Sequence, residues 1–211
     1  MQDLVRFLTS STNELSTSLF VLPEDIPESL ELVPDAVRSF SVNNAGGTSQ
    51  VSEAFSMTII SQLLAGYSLS FKLEMEIATS GAGLPDYVVI PSRSSDECPR
   101  FGVSVTRAVT QHTLYGGRIY SKADAYTLLT KKLYGFINAR SSTTGDSQFE
   151  KCILHVWAQS VDDINTLISA YSSIVSCLDD AHPIRDIVML ISICSWRGLY
   201  QEHLYQYTVR Q

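Results

Sequence analysis

Residues 69 to 110 read LSFKLEMEIATSGAGLPDYVVIPSRSSDECPRFGVSVTRAVT, and the fold turns on this stretch. Phe71, Leu73, Met75 and Ile77 alternate with Lys72, Glu74 and Glu76, a period of two that predicts a half-buried strand. Gly81, Gly83 and Pro85 mark a turn, and the β-branched run from Tyr87 to Ile90 resumes as a second strand. A polar link bounded by Pro91 and Pro99 precedes Phe101 to Val105, the third. Three consecutive strands on short links predict an antiparallel meander. Asp86 heads the second strand beside a Gly-rich turn, a rim position that suits a metal ligand better than a core residue.

Upstream, Thr48 or Ser49 caps a predicted helix that runs to about Leu64, with Val51, Ala54, Phe55, Ile59 and Leu63 as its apolar stripe. Glu53 falls in its first turn, where a carboxylate favours the helix N-terminus. The preceding Asn43 to Gly47 reads as a loop that can offer backbone amides to an anion. Residues 1–42 read as an arm laid over the core. Ser10 to Ser18 is rich in Ser and Thr, and Pro23, Pro27 and Pro34 stand too close together for a long helix. Downstream, Gly116-Gly117 marks a loop that also carries His112. Ser121 and Asp124 form a capping box opening a helix to about Arg140, with Lys131 and Lys132 in its middle. Cys152 to Ala158 predicts a strand, Val161 to Leu178 a helix, and the largely apolar Asp186 to Cys194 a strand buried on both faces in parallel pairing. His155 reads as a hydrogen-bonded strand residue, His182 as part of a turn before Pro183, and His203 as part of the tail.

With 211 residues and a net charge of −7, one domain over residues 43–211 is expected, with no whole-surface attraction to nucleic acid. Cys98, Cys152, Cys177 and Cys194 contain no C-x-x-C pair, so free thiols in a reducing compartment are the simplest account. Met1 to Leu8 carries Asp3 and Arg6 and does not read as a signal peptide, and no apolar run has the length of a membrane span. An intracellular protein away from membranes is expected. The chain contains no G-x-S-x-G elbow, Walker A loop or Cys/His spacing suited to zinc.

The order helix, three-strand meander, helix, strand, helix, strand, with Glu53 on the first helix and Pro85-Asp86 on the second strand, resembles the PD-(D/E)XK nuclease superfamily. The resemblance covers roughly residues 43 to 194. It implies a restriction-endonuclease-like α/β fold: a central mixed sheet of a three-stranded antiparallel meander plus two further strands, flanked by helices. It also implies a metal-dependent nuclease acting on DNA or RNA. In that family a helix glutamate, the strand aspartate and an acid-x-lysine pair on the third strand gather around magnesium. The cation neutralises the attacked phosphodiester, and the lysine steadies the attacking water or the developing oxyanion. The resemblance makes Glu53, Glu76 and Asp86 the expected ligands of Mg²⁺ or Mn²⁺. This chain departs from the pattern at the third strand, where Ser104 and Thr106 occupy the acid and lysine slots. Lys131 or Lys132 on the next helix is then the expected cation, since some members place their lysine there. The same departure fits a catalytically inactive module that binds nucleic acid or a protein partner, a second copy of the chain included.

Overall fold

The two strands that lack any alternation lie at the centre of the sheet. A computed structural model of the chain describes residues 4–5, 8, 19–27, 30–42, 49–81, 83–93, 96–110 and 119–200. The expected loop at Asn43 to Gly47, His112, Gly116-Gly117 and His203 lie outside them. Seven strands form one mixed sheet: β1 (Leu19–Asp25), β2 (Ser68–Leu73), β3 (Tyr87–Arg93), β4 (Asp96–Glu97), β5 (Phe101–Arg107), β6 (Lys151–Ala158) and β7 (Ile187–Ile193). Their order is β1-β7-β6-β5-β3-β2, with the two-residue β4 pairing off β3. β3 runs antiparallel to both β2 and β5, while β5, β6, β7 and β1 run parallel. Every residue of β6 and β7 is buried, because layers of helices cover both faces of a parallel sheet.

Among the described residues, the helices of those layers include α1 (Pro34–Ser39), α2 (Gln50–Leu63), α3 (Lys122–Ser142) and α4 (Val161–Val175). Phe101, Val103, Val105, Ile153 and Trp157 face α1 and α2 and pack with Ala36, Phe55 and Ile60. Val88, Leu154, Val156 and Met189 face α3 and α4 and pack with Leu129, Leu133 and Leu167. Gly102 belongs to this second face, where a Cβ would fall 2.7 Å from the Phe149 ring, so only glycine lets that ring close over β5. Both long helices on this face open on a serine cap. Ser121 Oγ accepts from Asp124 N at 3.3 Å while Asp124 Oδ2 accepts from Ser121 N at 2.9 Å, the expected capping box. Ser160 Oγ accepts from Asp163 N at 3.2 Å. Among the described residues, no helix is long and apolar enough to cross a membrane.

Two stretches differ from their sequence reading. The alternating run expected to continue to Ile77 leaves the sheet at Leu73, and Glu74–Glu76 wind into a single 3-10 turn. The Glu76 carboxylate accepts from Leu73 N at 2.9 Å, capping that turn, and Met75 is left 60% exposed. The proline-rich stretch expected as an arm contributes β1, which joins β7 at the sheet edge. An edge strand tolerates proline because one row of its amides needs no partner. Beyond β1, Ile26 N donates to Ile193 O at 2.8 Å, and Ser195 donates to the Asp25 carboxylate through both N and Oγ, at 2.9 and 2.6 Å. The sheet therefore has six strands along its path where five were expected.

Candidate functional site

Asp86 sits one residue before β3, where Asp86 N donates to Val103 O at 2.9 Å and so locks the chain against β5. Its carboxylate turns toward the same strand: Oδ2 accepts from Val105 N at 2.5 Å and from Ser104 Oγ at 3.1 Å. Ser104 and Thr106 share the face of β5 beneath α3, since side chains alternate along a strand. Ser104, which the resemblance put in the acid slot, thus donates a hydrogen bond to the aspartate.

Glu53 lies in the first turn of α2, buried to 8% exposure, and Ser49 Oγ donates to its Oε1. Glu53 and Asp86 line one open pocket, together with Glu74, Leu73, Gln50 and Ser39. The third carboxylate of that pocket is therefore Glu74 and not Glu76. Glu76 is turned to Arg38, which pairs with it and also holds Asp35 at 3.1 Å. Burial works against the charge on Glu76, but the hydrogen bonds from Arg38 and Leu73 outweigh it and leave the carboxyl below its ordinary value. A strict strand alternation puts Glu74 and Glu76 on one side. The 3-10 turn separates them, and the only sequence signal for it is the spacing of Glu76 three residues after Leu73.

Of the two adjacent lysines on α3, Lys131 is exposed, while Lys132 Nζ reaches β5 and donates to Val105 O at 3.1 Å. Successive helix residues point about 100° apart, so one of the pair faces the sheet and the other faces out. The same β5 residue thus receives Lys132 at its carbonyl and gives its amide to Asp86. Arg107 lies farther along β5, and its Nη1 donates to Leu199 O at 3.1 Å.

Behind this rim runs a chain of polar groups that sequence reading missed. Tyr87 Oη and Ser56 Oγ share a hydrogen bond at 2.6 Å, Ser56 Oγ meets His155 Nδ1 at 2.7 Å, and His155 Nε2 meets Ser192 Oγ at 2.8 Å. Trp157 Nε1 adds a 3.1 Å bond to Ser52 O. Each of these side-chain polar groups has a partner, as burial demands. Burial drives the His155 pKa down to about 3, so the ring is neutral. Burial also pushes the Tyr87 phenol well up; the Ser56 bond opposes this and the charges of Asp86 and Glu53 add to it. A serine spaced four residues from another on α2 was the available signal, because Ser52 and Ser56 share the face turned to the sheet.

Among the described residues, no three His, Cys, Asp or Glu side chains are placed to share an ion. One oxygen of Asp86 is committed to β5, and the third-strand slot offers a hydroxyl where hard cations take charged oxygen ligands. Cys152 and Cys194 are buried, Cys177 is exposed, and all four cysteines are free.

No protein-family description matches the chain, and no solved structure matches it. The chain is similar, at 29% identity over 137 residues, to the AAC-rich mRNA clone AAC4 protein of Dictyostelium discoideum. The match covers 64% of this chain and 19% of that protein, so the chain spans about a fifth of the relative's length.

Proposed function

We propose that the chain is a module of the PD-(D/E)XK nuclease fold that has lost phosphodiester hydrolysis and acts by binding nucleic acid. The fold part of this reading is supported by the order of elements, with α2, the β2-β3-β5 meander, α3 and then parallel β6 arranged about Glu53 and Asp86. The observation that carries the loss of hydrolysis is the Ser104 hydroxyl donating to the Asp86 carboxylate. A metal ligand at that position would bring a second negative charge beside Asp86, whereas the neutral hydroxyl brings none and occupies one of the Asp86 oxygens. A second reading, a Mg²⁺- or Mn²⁺-dependent nuclease, is favoured by Glu53, Glu74 and Asp86 lining one pocket and by Lys132 reaching β5.

Replacing Ser104 by Glu and Thr106 by Lys together separates the two readings. Wild type, this double variant and each combined with Asp86→Ala are incubated with single- and double-stranded DNA and RNA in Mg²⁺ or Mn²⁺. Wild type is expected to bind and leave every substrate intact, and the double variant to gain Mn²⁺-dependent cleavage that Asp86→Ala removes. Cleavage by wild type that disappears in Asp86→Ala would instead establish the metal-dependent nuclease.

A further inference from the structure

One helix of this acidic chain carries the opposite sign. α3 holds Lys122, Lys131, Lys132 and Arg140 against a single acid, Asp124, in a protein of net charge −7. Asp124 is turned into the cap at Ser121, Lys132 is held at Val105, and Arg140 pairs with Asp186 at 3.6 Å. Lys122 and Lys131 are exposed and make no ion pair among the described residues. Tyr126 and Tyr134 also emerge from this helix, 46% and 45% exposed. Among the described residues, Ile119, Tyr126 and Tyr134 are exposed large apolar side chains on or just before α3, and elsewhere only Met75 and Val161 are so exposed. The Tyr134 ring is braced edge-on against His182, with centroids 6.0 Å apart.

We propose that the exposed face of α3 binds single-stranded nucleic acid, with Tyr126 and Tyr134 stacking on bases and Lys122 and Lys131 meeting phosphates. This rests on the nucleic-acid reading above and adds to it the surface and the strandedness. Aromatic rings on a rigid element stack with any base, because every base has a π-face, and nearby cations follow the backbone. The two tyrosines are eight residues apart, about 12 Å along the helix axis, which leaves each ring room for its own base. A duplex hides its bases in the stack and offers nothing to the rings. The positive face on a negative protein also orients the encounter, keeping phosphates off the remaining surface.

Fluorescence anisotropy of the full chain with labelled oligothymidylate, and with its duplex on oligoadenylate, tests the proposal at rising salt. The single strand is expected to bind more tightly than the duplex. Tyr134→Ala is expected to weaken single-strand binding by about tenfold or more. Lys122→Gln with Lys131→Gln is expected to lower the slope of log affinity against log salt by about 1.4, two phosphates' worth. All of these side chains are exposed, so the variants fold as wild type does. If the variants bind as wild type does, the surface is wrong and the nucleic-acid reading stands. A polyglutamate chain that displaces the label as well as unlabelled oligothymidylate does would show a non-specific charge effect, and would also overturn the proposal. If wild type binds no oligonucleotide, both fall.

Discussion

At position 104 a hydroxyl stands where the resembling family carries a carboxylate, and its bond to Asp86 is one of two that fix the carboxylate on β5. Asp86→Ala leaves the Val105 amide without its acceptor. It is expected to lower stability by about 1–3 kcal/mol in urea unfolding, without loss of the fold. Ser104→Ala removes only the weaker bond and is expected to cost about 1 kcal/mol. His155 sets a pH dependence of its own. Its folded pKa of about 3 lies below the 6.5 of an ordinary imidazole, so the unfolded chain binds the proton more readily. Stability is then complete above pH 6.5 and falls as pH drops toward 3, by about tenfold in the folding equilibrium per pH unit. Glu76, with a pKa below the ordinary 4.5, adds its own loss only at lower pH. Urea midpoints between pH 6.5 and 4.5 are therefore expected to fall in wild type and to flatten in His155→Phe. Equal slopes in both would locate the titration elsewhere.

Element by element, what the sequence made legible was whatever obeyed a period. The largely apolar runs of β6 and β7, without alternation, announced central strands, and the Ser121–Asp124 box announced the start of α3. Ser121→Ala is expected to cost about 1 kcal/mol by thermal or urea unfolding, the usual value of a serine cap. What escaped was decided by tertiary partners. Glu74–Glu76 alternate as a strand does, but Arg38 from α1 and the Leu73 amide draw Glu76 into a 3-10 turn and put Glu74 in the pocket. The proline-rich β1 gains its place from β7 and the Asp25–Ser195 clasp, contacts 170 residues apart in sequence. The polar contacts across α2 were equally hidden, since Ser56, His155 and Ser192 meet only once the sheet is assembled. That Asp86 and Glu53 line one pocket was legible from their places in the element order. That Lys132 and not Lys131 reaches β5 was not, because it needs the rotation of α3 on the sheet.

For the molecule as a whole, two cores sandwich one mixed sheet, and the Glu53–Asp86 pocket opens at its rim. The fold places an acid on α2, an acid just before β3 and a lysine over β5, while β5 holds Asp86 with two donors. On the binding-module reading proposed above, this rim takes no divalent cation. Titration of Mn²⁺ into ¹⁵N-labelled protein tests it most directly, because the paramagnetic ion broadens only amides close to where it binds. Sub-millimolar Mn²⁺ is expected to leave the amides of Asp86, Tyr87 and Val105 as sharp as the rest of the sheet, and to broaden them selectively in the Ser104→Glu, Thr106→Lys variant. Selective broadening of those three amides in wild type would contradict the claim.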